Sequence, residues 1–307
     1  MTPKDLLRRL LQYEPLNFVL TNRIPRRALN RAVGWLSRLE HPWVSAAGIA
    51  LWRLFADLDL SDARQRRFKS VHECFTRQLR DGARPIARER HVVVSPCDGL
   101  VGAVGSIGTG TLLQAKGQTY PLTELLADRR GGEALRDGCY VTLRLTAGMY
   151  HRFHAPYDCR VRRVTHIAGD TWNVNPSTLK RIERLYCRNE RAVLECELAP
   201  GGARIVLVPV AAILVAGIRL RFLDLLLHGD EAGARVIDCD VPLSKGEEMG
   251  WFEHGSTIIL LAPRGFTLCP HVHTGVRLRM GQALLQRQAQ AVRTPADAGA
   301  CTAAGPG

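Results

Sequence analysis

The sequence predicts an α+β fold: a mainly-β domain preceded by a helical, basic and amphipathic N-terminal segment. Three observations predict it. Residues 1–90 carry apolar side chains at helical spacing with arginines opposite, whereas from His91 to about Leu285 the texture changes to short β-branched runs broken by Gly and Pro. Runs of strands behind a run of helices are the signature of segregated α and β layers. The third observation is bulk: 307 residues with 46% apolar content are enough to bury a sizeable core, which excludes disorder of the whole chain. Gly 28 and Pro 16 lie near average usage, which excludes collagen-like and low-complexity classes.

The first element is residues 1–60. Leu6, Leu7, Leu10 and Leu11 recur at helical spacing with Arg8 and Arg9 on the other side. Ala28, Leu29, Ala32, Val33, Leu36 and Leu39 repeat the pattern, opposite Arg27, Arg31 and Arg38, with Trp35 at the edge of the apolar face. Trp43 and Trp52 bracket a third apolar stretch. Of the formal charge of +13, residues 1–90 hold +9, as 18 Lys+Arg against 9 Asp+Glu. A pI of about 9.8 suits nucleic acid, an anionic membrane surface or acidic substrates, and the scarcity of Lys beside Arg also fits a plain coding bias. Leu and Trp interleaved with the charge favour a segment lying on a membrane surface; ordinary helices packed on the core are the other reading. No recognition helix or aromatic-interleaved strand accompanies the charge, so nucleic acid is not the expected partner.

The second element, residues 61–286, is the expected catalytic domain. Its strand candidates are His91 to Val94, Tyr140 to Leu143, Ala192 to Glu195, Ile205 to Val208 and Thr257 to Leu261. The longest apolar run, Ile205 to Ile218, is shorter than the roughly 20 residues of a spanning helix and contains Pro209, so it reads as a buried strand pair. Residues 287–307 are small and weakly apolar, an expected disordered tail. The nine cysteines are scattered, with no C-x-x-C pair, and the N-terminus lacks a secretory cleavage pattern, so a reducing, cytoplasmic location is expected.

Four places could do chemistry. Ser95-Pro-Cys-Asp98-Gly99 sets a carboxylate on a turn after a strand, although Asp-Gly is also a common structural turn. In Met149-Tyr-His151-Arg-Phe-His154-Ala-Pro156, two histidines three apart supply groups that exchange protons near neutral pH, or two metal ligands. Gly255-Ser256-Thr257 offers a hydroxyl behind a residue with wide backbone freedom, or a plain turn into a strand. His271 and His273, as H-x-H on a strand, would share one face, but no third metal ligand is identifiable, so no metal is expected.

In order and surroundings these motifs resemble those of the phosphatidylserine decarboxylase proenzymes, pyruvoyl-dependent enzymes of phospholipid synthesis. Four stretches carry the resemblance: residues 68–86 (FKSVHECFTRQLRDGARPI), 95–99 (SPCDG), 150–156 (YHRFHAP) and 245–257 (KGEEMGWFEHGST). Weaker echoes lie at 114–117 (QAKG), 188–191 (RNER) and 280–282 (MGQ), so the likeness covers roughly residues 60–285 in order. Two departures stand out. His254 takes the position before Gly-Ser-Thr that is usually apolar in the family, often Leu, and residues 208–213 (VPVAAI) lack an expected Val-Gly-Ala.

The resemblance implies that Ser256 attacks the Gly255 carbonyl, activated by His154 with Asp98 orienting the imidazole. It implies that the resulting ester eliminates, leaving chains 1–255 and 256–307 with a pyruvoyl group, derived from Ser256, as covalent cofactor. That carbonyl would form a Schiff base with the serine amine of phosphatidylserine and accept the electrons left on decarboxylation, with His151 protonating the α-carbon to yield phosphatidylethanolamine. The implied partners are an anionic phospholipid substrate, the cytoplasmic face of a membrane bound peripherally, and a second copy in a homodimer. Two alternatives stay open: a serine hydrolase using Asp98, His154 and Ser256 on an external ester or amide, and a decarboxylase of a related phosphoserine lipid such as an ether-linked one.

Overall fold

The computed structural model describes residues 26–108, 111–113, 119–128, 131–212, 217–228, 233–253 and 256–288. The Leu6–Leu11 pattern, the 114–117 echo, His254, Gly255 and the expected tail from 289 onward lie outside them.

Helix α1 spans Arg26–Ser37 and α2 spans Pro42–Phe55, with Pro42 supplying a φ already suited to the first turn. Their orientation follows from small residues. Among the α1 side chains described, 32–37, the buried positions are Gly34 and Ser37; in α2 Ser45 is buried, its hydroxyl donating to the Phe68 carbonyl at 2.9 Å, and Gly48 lies against Val71. Most of the large apolar side chains described on these helices consequently point outward, with half-buried Trp52 as an exception. Trp35, Leu36, Trp43, Leu51, Leu54 and Phe55 are all exposed, Trp43 by 81%. A third helix, α3 (Val71–Phe75), is capped by Ser70, whose hydroxyl accepts from the Glu73 N–H at 3.1 Å.

The strands run in chain order as β1 (Val92–Val94), β2 (Gly99–Ser106), β3 (Thr111–Leu113), β4 (Thr119–Pro121), β5 (Cys139–Leu145) and β6 (Arg152–His154). Next come β7 (Cys159–Ile167), β8 (Arg191–Leu198), β9 (Arg204–Ala211), β10 (Ile218–Leu220), β11 (Leu225–Leu227) and β12 (Ala234–Leu243). The last are β13 (Glu248–Phe252), β14 (Ser256–Ala262), β15 (Phe266–Leu268), β16 (Arg277–Leu278) and β17 (Ala283–Arg287). All the expected strand runs are strands, and the mainly-β reading holds.

An eight-stranded antiparallel sheet of order β12-β7-β8-β9-β14-β5-β2-β16 is the main framework. Three smaller antiparallel sheets, β11-β10-β13-β6, β1-β17-β15 and β3-β4, accompany it. One face of the large sheet, with Leu143, Leu207, Ile258 and Leu260, packs with Phe153, Ile218, Phe252 and Leu285 of the smaller sheets. The opposite face, with Tyr140, Val208, Ile259 and Leu261, packs with Leu122, Leu125, Leu185 and Tyr186 from short helices. Burial on both faces explains why β9 and β14 read as unbroken apolar runs rather than alternating ones. The run from Ile205 to Ile218 accordingly contains β9 and the first residue of β10, but the two strands belong to different sheets.

Sheet crowding fixes one glycine. At Gly250 a Cβ would stand 1.9 Å from the Arg219 carbonyl oxygen, so β13 can lie against β10 only with glycine there. Gly250→Ala is expected to destabilise the fold by about 1–3 kcal/mol, the usual cost of forcing a methyl into a packed interior, measured as a lowered midpoint of urea unfolding.

Candidate active site

Five segments remote in sequence meet around one carboxylate. Asp98 closes the turn after β1, and Arg84 grips both its oxygens, Nε to Oδ1 at 2.9 Å and Nη2 to Oδ2 at 2.7 Å. The Met280 backbone N–H also donates to Oδ1 at 2.9 Å, and Arg84 reaches Asp62 with its remaining nitrogen. Both Arg84 and Asp98 are 9% exposed at the side chain, so this is a nearly buried, bidentate ion pair. Backbone bonds knit the same turn to its neighbours: the Ser95 N–H donates to the Gln282 carbonyl, and the His154 N–H donates to the Pro96 carbonyl.

His154 ends β6 and is buried. Its Nδ1 lies 2.9 Å from the Gly246 carbonyl, which can only accept, so the proton sits on Nδ1 and Nε2 is the basic atom. The Tyr150 hydroxyl donates to that Nε2 at 3.0 Å. Burial lowers the His154 pKa from its ordinary 6.5, opposed by the Gly246 carbonyl and by the negative charges of Glu248 and Asp98. The imidazole is therefore neutral at pH 7, a requirement for a base.

The expected orienting of the His154 imidazole by Asp98 is corrected by this geometry, in which the Gly246 carbonyl holds the ring. Both ring nitrogens of His154 are engaged by Gly246 and Tyr150, and both oxygens of Asp98 by Arg84 and Met280. Asp98 acts on His154 through its charge alone, because the guanidinium fork competes for the carboxylate more strongly than a neutral imidazole would.

His151 lies directly before β6 and is fully buried. Its Nδ1–H donates to the Met149 carbonyl at 2.8 Å, and its ring packs on Phe75 of α3 at 3.9 Å between centroids. Phe75 in turn stacks on Trp52 of α2, at 5.6 Å. The helical region thus reaches the candidate site through two aromatic rings.

Ser256 is the first residue of β14, paired with Leu145 of β5 on one side and Ala211 of β9 on the other. Just upstream, the Phe252 N–H donates to the His151 carbonyl at 3.1 Å. In the β13–β6 pairing, His154 faces Glu248, four residues back from Phe252. His151 thus joins the end of β13 that leads to Ser256, while His154 lies farther back along the same strand pair.

His271 and His273 lie in turns between β15 and β16 rather than on a strand. Their rings face the carbonyls of Ala283 and Thr274, at 2.9 and 3.2 Å. The described cysteines are free thiols. Sequence reasoning did not single out Arg84, Tyr150 or Glu253. All three lie inside quoted motifs, so their neighbourhood was visible even though their partners were not.

The sequence model described as phosphatidylserine decarboxylase matches residues 71–286, which include Arg84, Asp98, His151, His154 and Ser256. The chain belongs to this family. Proteins named phosphatidylserine decarboxylase proenzyme agree with it over most of their length. One from Anaeromyxobacter sp. (strain K) is 36% identical over 271 residues, covering 85% of this chain and 94% of that protein. One from Psychrobacter cryohalolentis is 33% identical over 244 residues, covering 78% and 87%, and one from Xylella fastidiosa (strain M12) is 33% identical over 290 residues, covering 89% and 95%. The chain is therefore an enzyme, a decarboxylase.

Two predictions follow from the site's electrostatics. Asp98→Ala leaves the Arg84 charge buried without its fork and is expected to cost about 3–5 kcal/mol, whereas adding Arg84→Ala should recover part of that loss in a double-mutant cycle of unfolding free energies. For His154, the folded state binds its proton less readily than the unfolded state, so its contribution is constant above the unfolded pKa of 6.5 and turns destabilising as pH falls below that value. The stability difference between wild type and His154→Gln should accordingly be flat above pH 6.5 and shift against the wild type on acidification, measured by urea unfolding from pH 7.5 to 5.

Proposed function

We propose that this decarboxylase is made as a proenzyme that cuts its own chain between Gly255 and Ser256, converts Ser256 to a covalent pyruvoyl group, and decarboxylates phosphatidylserine to phosphatidylethanolamine. The name proenzyme, carried by relatives over most of their length, supports the processing step. The observation that carries the reading in this chain is the state of His154: buried, neutral, protonated on Nδ1 and so basic at Nε2.

The chemistry uses the chain's own groups. A base removes the Ser256 hydroxyl proton while the oxygen attacks the Gly255 carbonyl; the peptide C–N bond breaks, the amine takes up a proton and an ester remains. Loss of the Ser256 α-proton then expels the Gly255 carboxylate, and water replaces the resulting enamine nitrogen, released as ammonia. His154 suits the base role because its Nε2 is unprotonated at neutral pH, and Tyr150, whose hydroxyl donates to that atom, would relay the serine proton to it. Asp98 and Glu248 contribute negative potential that stabilises the imidazolium once formed.

The start of β14 fits the group to be made there, since backbone pairing on both sides gives Ser256 a fixed position at the end of a buried strand. A pyruvoyl group supplies an electron sink for loss of carbon dioxide. His151 is suited to proton delivery: the bond to Met149 and the stack on Phe75 hold its ring in one orientation. The serine-hydrolase reading gives way to the family, whose model and relatives are described as decarboxylases.

For the substrate, we read α1 and α2 as a surface that lies on a membrane at its cytoplasmic face. Six exposed large apolar side chains on these two helices, with Arg53 exposed beside them, suit an anionic lipid interface. No described helix is long and apolar enough to cross a bilayer.

An intact-mass spectrum tests the reading. Two chains, 1–255 and 256–307, with the second lacking a free amine, are expected; one unbroken 34.0 kDa chain would overturn it. Ser256→Ala should stay whole, His154→Ala should slow cleavage by about 10²–10⁴-fold, and His151→Ala should cleave yet release no carbon dioxide from phosphatidylserine.

A further inference from the structure

Glu253, two residues before the Gly255–Ser256 bond, is an acidic side chain that the mechanism above does not use. It is 6% exposed, and its carboxylate is held from three directions. Arg38, just past α1, donates from Nη2 to Oε2 at 2.7 Å; His72 of α3 meets Oε2 through Nε2 at 2.5 Å; and the Trp251 indole N–H donates to Oε1 at 3.1 Å. Burial alone would raise its pKa, but the hydrogen bond and charge of His72 and the charge of Arg38 bring it down to about 2, so the group is a carboxylate at any physiological pH.

The surroundings give this cluster mechanical meaning. Upstream of the bond, the Glu253 N–H donates to the Gly217 carbonyl at 3.3 Å, a long hydrogen bond. Downstream, Ser256 is fixed by strands on both sides. Phe252, the last residue of β13, is still held by pairing with Ile218 and by its bond to the His151 carbonyl; past it, the side-chain clamp on Glu253 is the described hold nearest the bond, and its Arg38 and His72 partners belong to the helical region rather than to the β domain. Arg152 of β6 strengthens the same seam by donating to the Thr76 carbonyl at 2.7 and 2.9 Å while pairing with Glu248 of β13.

We propose that Glu253 is a positioning residue for self-cleavage, its clamp by Arg38 and His72 fixing the chain upstream of the Gly255–Ser256 bond to the N-terminal helical region. The inference rests on the self-processing reading. Attack on a carbonyl demands near-contact alignment, and a misplacement of about 1 Å costs on the order of 10²-fold in rate. Release of the clamp loosens the chain between the end of β13 and the bond and slows the reaction without touching the nucleophile or the base.

The test is a time course of the 256–307 chain after cell-free synthesis, followed by intact mass, with circular dichroism and urea unfolding as measures of folded protein. Glu253→Ala should slow cleavage by about 10–100-fold per folded molecule, and Glu253→Gln, which keeps hydrogen-bonding capacity, should fall between. Arg38 is half-exposed, so Arg38→Ala should fold normally and still slow cleavage, Arg38→Lys should restore most of the rate, and Arg38→Ala with Glu253→Ala should be no slower than Glu253→Ala alone. Wild-type rates in both alanine variants, slowing that only follows loss of folded protein, or slowing in the double variant equal to the product of the singles would overturn the clamp. A wild-type chain that never cleaves overturns the self-processing reading and the clamp with it; a wild type that cleaves beside an equally fast Glu253→Ala overturns the clamp alone.

Discussion

The constraint on which the molecule depends is the double pairing of β14. It lies between β9 and β5 in the eight-stranded sheet, and from Thr257 to Ala262 every side chain is buried. Sliding such a strand by one residue would exchange the groups facing the two halves of the core, so its register is strongly specified. Ser256 inherits that certainty because it is the first paired residue. A serine intended to attack its own peptide bond gains from this, since the sheet supplies a fixed position without using any of the side chains needed for proton transfer.

Around that fixed point the Arg84–Asp98 pair gathers the motifs. Arg84 comes from the loop that follows α3, Asp98 from the turn after β1, and Met280 from the segment before β17, yet all three meet at one carboxylate. A buried charge pair of this kind is poor evidence for net stability, because desolvation offsets much of the attraction. What it does supply is location. With Arg84 and Met280 occupying Asp98, His154 takes its tautomer from the Gly246 carbonyl, and the carboxylate reaches it only as a field.

The opening excess of positive charge divides in the same physical terms. Some of the arginines of residues 26–90 are internal struts: Arg38 on Glu253, Arg77 on the Gly148 carbonyl, and Arg84 on Asp98 and Asp62. Others, including Arg53, Arg64, Arg66 and Arg67, are exposed. The helical spacing of α1 was legible, but which face turned inward was not. Gly34 and Ser37 pack toward the protein because small residues permit close approach, and Trp35 and Leu36 are left outside.

The sequence by itself determined the mainly-β architecture, the continuous apolar strands, and the ordered motifs that identify the family, because periodicity and motif spacing are local properties of a chain. It also brought Asp98, His151, His154 and Ser256 forward as chemically capable groups. Only the tertiary structure decided which of them touch: that Arg84 rather than His154 binds Asp98, that Tyr150 stands on the basic nitrogen of His154, and that Glu253 is tied to Arg38 and His72. Those partners lie 14, 4, 215 and 181 residues apart. No local pattern encodes the long-range meetings, and they arise only when strands from distant parts of the chain are stacked and buried, where low dielectric makes each charge find its partner.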